Sequence, residues 1–308
     1  MGFGWEDTSS DRDWPTIFTG LKKKGYNAVD LAVGRPEWSL MPPVEGSKWR
    51  SANFSVPIGD IIQAAHDAKI EHVYLTVDCF MEGIMKDHPE WHSVRRDGVV
   101  VPFIPSAAAW KNEAPGEIME EYIRDIAAMY GSVIDGIVLT ELHWDEGSFT
   151  EADLNLFKEE TGHADWTRRD DGTPHVGPNE REWLTDRMAD NVSRWQSAAK
   201  NVPLIVDVRV DWENPTVGSL NSGQDYAKLN AAALGGISLW AYFFERDPER
   251  IAALRKAVEV MKPQPRISLG LWATGEQEDI DNATLQKALA MLDGYPRVQV
   301  VPYSKFTG

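Results

Sequence analysis

The stretch SVIDGIVLTELHWDEG, residues 132–147, places an acidic side chain directly after a short apolar run. The run at residues 137–139 is too short for a helix and too apolar for a solvated edge, so it predicts a strand covered on both faces. Glu141 follows where this strand ends. Because parallel α/β folds hold their chemistry at the carboxyl ends of the strands, Glu141 is the first candidate for a catalytic residue.

Strand-like and helix-like segments alternate along the whole chain, which is typical of a parallel sheet with crossover helices. The predicted strands cover residues 2–5, 27–34, 72–80, 135–139, 202–212, 236–244, 266–273 and 298–304. Eight strands with seven crossovers predict an α/β fold, a single (β/α)8 barrel that occupies residues 1–308. The sequence leaves no room for an eighth helix, so we expect the final helix to be missing or replaced.

Three long connections interrupt this pattern. They are loops at residues 35–57 and 81–114 and an insertion at residues 148–178. The two loops follow strand ends directly, so both are expected at the same rim of the barrel. Connections of this length are uncommon in compact domains and are often functional.

Composition limits the partners of the chain. Its 48 acidic residues outnumber its 31 Lys and Arg and give a net charge of -17, so we expect neither nucleic acid nor a membrane surface as a partner. No apolar stretch reaches membrane-spanning length and no secretory signal is visible, which predicts a cytoplasmic location for the chain as given. Cys79 is the single cysteine, which excludes an intrachain disulfide and a cysteine zinc cluster.

Each predicted strand alternates aliphatic residues with small, polar or aromatic ones. The aliphatic side should face the outer helices, and the other side should face the lumen. The lumen side near the rim would then carry Asp78, Glu141, Asp207, Arg209, Asp211, Trp240, Tyr242 and Trp272. One carboxyl can protonate a leaving oxygen, a second can attack or activate water, and flat rings can stack on sugars. This set predicts a glycosidase that acts on an oligo- or polysaccharide and needs no cofactor.

The roles of these residues follow from this chemistry. Glu141 is the predicted general acid or base, and Asp207 is the first choice for its partner. Glu276, in the loop after the seventh strand, is a further catalytic candidate. The predicted substrate-binding residues are Asp78, His143, Arg209, Asp211, Trp240, Tyr242 and Trp272. Asp78, Asp211 and Glu276 are also alternative catalytic partners of Glu141, after Asp207.

Other interpretations of the same residues remain open. The lumen charges could form a structural salt-bridge network around Arg209, and aromatic residues could simply fill the core. His143 beside Glu141, with Asp78 and Asp207, could bind a metal ion in an isomerase-like or aldolase-like barrel, although we expect no metal site. No glycine-rich phosphate-binding or serine-nucleophile motif follows a strand.

Three segments carry a resemblance to a known family. HPEWHSVRRDG at residues 88–98, IPSAAAW at 104–110 and YGSVIDGIVLTE at 130–141 resemble the bacterial glycosyl-hydrolase-like proteins of the family-10-like group. The resemblance implies a barrel in which Glu141 is a site acid. The family strand has the form DGIHFDD, and Thr140 stands where its first acid would be. A catalytically inactive carbohydrate-binding barrel is therefore the second interpretation.

A missing final helix would leave the groove between the first and last strands exposed to water. An inserted segment, a region outside this sequence or a second copy of the chain would then cover the apolar faces. A symmetric homodimer is a common way to bury such a patch, so a homodimer is among the predicted partners.

Overall fold

The structure is a computed structural model that describes residues 1–52, 57–241, 247–271 and 280–306. Eight parallel strands form one sheet whose order follows the chain. They are β1 (Gly2–Phe3), β2 (Ala28–Arg35), β3 (His72–Asp78), β4 (Gly136–Thr140), β5 (Leu204–Arg209), β6 (Ile237–Trp240), β7 (Arg266–Gly270) and β8 (Val298–Val301). Gly2 of β1 lies against the side chain of Val301 in β8, so the barrel is nearly closed. The predicted (β/α)8 barrel is confirmed.

One main helix lies in each of the seven crossovers. These helices are α1 (Trp14–Lys23), α2 (Ile58–Asp67), α3 (Ala114–Tyr130), α4 (Pro178–Ala199), α5 (Tyr226–Ala232), α6 (Pro248–Val258) and α7 (Asn282–Met291). Four of them begin after an aspartate whose carboxylate accepts a hydrogen bond from a first-turn N–H: Asp13, Asp225, Asp247 and Asp281. These bonds satisfy backbone donors that the helix leaves without an internal partner, which explains where the helices start.

The alternation predicted for the strands is confirmed in β2. Val29, Leu31 and Val33 are fully buried in the apolar core, whereas Asp30 and Ala32 line a cavity inside the barrel. This orientation places the polar side of each strand in the lumen and the aliphatic side against the helices.

The long connections contain secondary structure of their own. A two-residue strand, Trp38–Ser39, runs back antiparallel to β2. The second long loop contains a helix at Glu82–Met85, a β-hairpin formed by His92–Val94 and Val100–Pro105, and a helix at Ala107–Asn112. The insertion contains a helix at Glu151–Thr161.

The first strand is shorter than predicted. It ends at Phe3, and a helical turn over Trp5–Thr8 begins instead. The carboxylate of Asp7 accepts the N–H of Gly4 at 3.1 Å, and the hydroxyl of Thr8 donates to the carbonyl of Ala32 at 2.7 Å. These polar contacts fix the turn at the end of β1 and place Trp5 at the mouth of the barrel.

The groove between β8 and β1 is covered by the chain itself. In the part of the chain that the structure describes, a single 3-10 turn, Tyr303–Lys305, follows β8 in place of a helix. Phe3 stacks on Tyr303 with 4.7 Å between ring centroids, contacts Trp14 and Phe18 of α1, and is only 3% exposed. The homodimer stays a prediction, and this groove no longer gives a reason for it.

None of the helices in the described ranges is long and apolar enough to cross a membrane.

Candidate active site

A cavity of about 950 Å³ opens at the carboxyl ends of the barrel strands. Five of the predicted site residues line it together: Asp78, Glu141, Asp207, Arg209 and Trp240. His143 contacts Glu141 from behind. Tyr242, Trp272 and Glu276 lie outside the described residues.

Glu141 enters the cavity through an unusual backbone conformation. β4 ends at Thr140, which pairs with Asp78 at the end of β3. Glu141 follows with a φ of 58°, in the left-handed region that non-glycine residues rarely adopt. Thr140 and Glu141 consequently both line the cavity, although successive residues of a regular strand would point to opposite faces.

His143 links Glu141 to Arg209. The imidazole is buried, and its Nε2 atom lies 3.2 Å from Oε2 of Glu141 and 2.9 Å from Nη2 of Arg209. One ring nitrogen cannot accept from the guanidinium and donate to the carboxylate at the same time, so the tautomer of His143 determines which contact is a hydrogen bond. Glu141 and Arg209 therefore both contact the same nitrogen of His143.

Asp78 combines partial burial with a cationic partner. Its Oδ2 atom lies 2.5 Å from Nη2 of Arg35, its Oδ1 atom accepts the N–H of Phe80 at 2.8 Å, and 22% of its side chain is exposed. Burial raises the pKa of Asp78 to about 6, the cation of Arg35 opposes this rise, and the charge of Glu141 adds to it. A carboxyl that titrates near neutral pH is suited to general acid–base catalysis.

Asp207 lies in a polar network on the floor of the lumen. Burial raises its pKa to about 6 against the opposing charge of Arg266, whose Nη2 atom is 3.7 Å from Oδ1 of Asp207. Nη1 of Arg266 also lies 2.5 Å from Asp30, which accepts a hydrogen bond from Gln299 at 2.8 Å. The network that sequence analysis considered around Arg209 is thus centred on Arg266.

Sequence analysis did not single out Arg266. It stands at the start of its strand, where a charged residue is easily taken for a solvated boundary. Its position two residues before Ser268 on the inward face was the signal that could have placed it in the lumen.

Among the described residues, four indole rings line the cavity and are half-buried: Trp5, Trp38, Trp212 and Trp240. Only Trp240 was predicted as a site residue, and its stacking role stays a prediction. The other three could have been predicted from their positions: Trp5 and Trp212 come shortly after strands, and Trp38 lies in the long loop at residues 35–57. Aromatic residues in such positions are often part of a binding site. Trp5 and Trp38 contact each other with 3.9 Å between ring centroids, and the guanidinium of Arg35 lies 4.8 Å from the ring of Trp38.

Asp211 lies beyond the strand that was predicted to carry it, and its binding role stays a prediction. β5 ends at Arg209, and Asp211 belongs to the following turn, where its Oδ1 accepts the N–H groups of Glu213 and Asn214 at 3.0 Å each. It does not line the cavity as the described residues define it. The strand stops early because these turn contacts replace the ladder bonds that would have continued the alternation.

The arrangement of the acidic, histidine and cysteine side chains bears on the alternative of a metal site. Within the described ranges, no three His, Cys, Asp or Glu side chains are arranged to hold a metal ion.

Comparison with known proteins places the fold. No family model matches the sequence, and no curated protein is similar to it. The catalytic domain of a β-amylase from Paenibacillus polymyxa superposes with a TM-score of 0.63 at 14% identity, over 96% of this chain and 90% of that one. The PgaB (BpsB) glycoside hydrolase domain from Bordetella bronchiseptica superposes with a TM-score of 0.70 at 12% identity, over 96% of this chain and 92% of that one.

The β-galactosidases among the similar structures are longer proteins. One is a catalytic mutant of Gan42B, a GH42 β-galactosidase from G. stearothermophilus, which superposes with a TM-score of 0.69 at 14% identity. The superposition covers 97% of this chain and 50% of that one. At such identities the similarity shows the fold alone. The chain is a barrel of the type found in glycoside hydrolases, and membership of the family-10-like group stays a prediction.

Proposed function

We propose that the chain is a glycoside hydrolase that cleaves an oligo- or polysaccharide with a pair of carboxylates. The observation that carries the proposal is the position of Asp78 and Glu141. They stand at the ends of adjacent strands in a cavity whose mouth is lined by indole rings. Carboxylates supply the proton transfers of glycosidic hydrolysis, and indoles provide flat apolar surfaces for sugar rings.

Asp78 is the proposed general acid. Below its pKa of about 6 it carries a proton that it can donate to the leaving oxygen as the glycosidic C–O bond breaks. As this bond breaks, Glu141 either takes a proton from the water that attacks the anomeric carbon, or it attacks that carbon itself. In the second case a water activated by the deprotonated Asp78 then releases the sugar from Glu141. Asp207 was the first choice of partner from the sequence, but its carboxylate lies beside Arg266 with 9% of the side chain exposed, against 22% for Asp78. Asp78 therefore fits the partner role better.

The proposal is tested by the release of reducing ends from soluble starch, mixed-linkage β-glucan, xylan, mannan, galactan and chitosan. The Glu141→Gln variant should lose about 10²- to 10⁴-fold of the turnover of the cleaved polymer, because the amide cannot exchange the proton, while it keeps its melting temperature. Glu151→Gln, an exposed change on an outer helix, is the matched control. Unchanged turnover in Glu141→Gln would remove Glu141 from the mechanism.

A catalytically inactive carbohydrate-binding barrel is the second candidate. The observation that favours it is Thr140, which lines the cavity at the position where the resembled family carries an acid. Such a protein would be stabilised against heat by oligosaccharides and would release no reducing ends during long incubation.

A further inference from the structure

The indole rings at the mouth form two pairs on opposite sides of the barrel. Trp5 follows β1 and Trp38 follows β2, whereas Trp212 follows β5 and Trp240 ends β6. The order of the strands around the barrel is their order in the chain. The ends of β1 and β2 therefore lie across the mouth from the ends of β5 and β6.

The candidate acids lie midway between these two pairs. Asp78 ends β3 and Glu141 follows β4, and these two strands separate β2 from β5 in the sheet. A chain of sugars that crosses the mouth from one indole pair to the other would therefore pass both carboxylates near the middle of its path.

The first pair, Trp5 and Trp38, is fixed relative to an acid. The backbone of Trp38 pairs with Arg35 where the chain turns back along β2. The guanidinium of Arg35 stacks 4.8 Å from the ring of Trp38, and the same group bonds Asp78 at 2.5 Å. Arg35 thus holds the indole and the candidate acid in one rigid unit.

In the second pair, Trp212 and Trp240, the strand of Trp240 pairs with a strand that carries an arginine close to the other acid. Trp240 is the register partner of Arg209 in the β5–β6 ladder. Arg209 in turn reaches His143, which contacts Glu141. One tryptophan of each pair therefore neighbours an arginine that contacts a candidate acid, directly in one case and through His143 in the other.

The charged residues that line the cavity limit which kinds of polysaccharide can bind across its mouth. Among the described residues that line it, five are acids and one is an arginine: Glu6, Asp30, Asp78, Glu141, Asp207 and Arg209. Arg35 pairs with Asp78, and Arg266 pairs with Asp30 and Asp207, so five acids face three arginines in and beside the lining. A chain that carries carboxylates or sulfates would be repelled by this excess of acids and by the net charge of -17.

We infer that the substrate is a polysaccharide without anionic groups, which lies across the mouth with sugars stacked on both indole pairs and is cleaved internally. This inference rests on the proposed function and specifies its substrate class. An enzyme that removes terminal sugars needs stacking on one side of its acids, whereas the two pairs here provide it on both sides.

The mode of cleavage is tested with the wild-type protein and the six polymers named above. Internal cleavage lowers the viscosity of the cleaved polymer early, before many reducing ends have formed. Accumulation of mono- or disaccharides at unchanged viscosity would overturn the inference and leave the glycosidase proposal intact. Release of no reducing ends from any polymer would count against the glycosidase proposal, and the binding experiment then decides whether two-sided binding stands.

Binding is measured by calorimetry with Glu141→Gln protein and the hexasaccharides of glucose in α- and β-linkage, xylose, mannose, galactose and glucosamine. Trp38→Ala and Trp212→Ala, each added to that protein, should both weaken binding of the same hexasaccharide by about tenfold. Trp91→Ala, which removes a half-buried indole stacked on His88 away from the cavity, is the control and should have no effect.

Three outcomes would contradict the inference. Weaker binding in only one of the two tryptophan variants would show a one-sided site. Binding of hexagalacturonate as tight as that of the neutral hexasaccharides would remove the charge argument. The absence of binding by every hexasaccharide would overturn both the inference and the proposed function.

Discussion

At the scale of single residues, Asp78 and Asp207 are two carboxyls with similarly raised pKa values but different surroundings. Burial raises the pKa of each to about 6. Asp78 stays partly exposed at the mouth, where a substrate oxygen can reach it, whereas Asp207 is buried beside Arg266. The pKa alone does not separate these two carboxyls, which both line the cavity, whereas their exposure does: 22% of the Asp78 side chain is exposed against 9% for Asp207.

The raised pKa of Asp78 predicts a pH-dependent effect of Asp78→Asn on stability. Between about pH 4 and 6 the unfolded chain loses the Asp78 proton before the folded chain does, so this carboxyl makes the wild type less stable as pH rises. From pH 4 to pH 7 the stability of Asp78→Asn should therefore improve relative to wild type by roughly 2 kcal/mol.

Urea unfolding of both proteins at pH 4 and pH 7 measures this change. Asp87→Asn, at a strongly exposed carboxyl, controls for the loss of one negative charge. An equal stability difference at the two pH values would show that burial does not shift the pKa of Asp78.

At the scale of elements, the return of the chain along β2 positions the first indole pair. Gly34 has a φ of 101°, and a Cβ atom at this position would lie 2.4 Å from the carbonyl oxygen of Trp38. Glycine is needed here both for its backbone conformation and for the close approach of the following strand. One glycine thus determines where the ring of Trp38 lies.

Gly34→Ala should destabilise the fold by about 3 kcal/mol or more, because it combines backbone strain with a clash against the main chain. Gly46→Ala is the matched control in the loop that follows β2, since Gly46 also has a positive φ but a Cβ atom there would have open space around it. Its cost should stay near 1 kcal/mol. Chemical unfolding measures both, and equal losses would mean that the contact with Trp38 does not constrain β2.

The elements also show what the sequence could predict. The strands and their inward faces were predictable because alternation is a local property, as Val29, Asp30 and Leu31 illustrate. Two features could not be predicted from the sequence: the left-handed backbone of Glu141 and the helical turn that begins at Trp5. Both depend on contacts made in the folded barrel. Glu141 was nevertheless placed correctly at the mouth, since the end of β4 itself is marked by local sequence.

At the scale of the whole molecule, Arg266 connects distant parts of the barrel across the lumen. It pairs with Asp30, 236 residues away in the chain, and its Nε atom donates to Ser238 at 3.1 Å. Its guanidinium also lies over the ring of Tyr74 at 5.8 Å. A pairing over this sequence distance leaves no local pattern, which is why sequence analysis centred the network on Arg209 instead.

Arg266→Ala should lower the free energy of unfolding by about 3–5 kcal/mol, because it leaves the buried carboxylates of Asp30 and Asp207 without their cation. Arg124→Ala, which removes an exposed pair with Glu120 on one helix, should cost about 0.5 kcal/mol. Denaturant unfolding of both variants measures the contrast. A loss at Arg266 as small as that at Arg124 would show that the lumen network does not stabilise the barrel.

The central claim is that a carbohydrate chain binds at the carboxyl-end mouth with the bond to be cleaved between Asp78 and Glu141. The crystal structure of Glu141→Gln protein with the hexasaccharide of the cleaved polymer tests it most directly. The account predicts sugars stacked on the rings of Trp38 and Trp212 and a glycosidic oxygen within hydrogen-bond distance of Asp78. A hexasaccharide bound elsewhere, or bound at the mouth with no glycosidic oxygen near either acid, would contradict it.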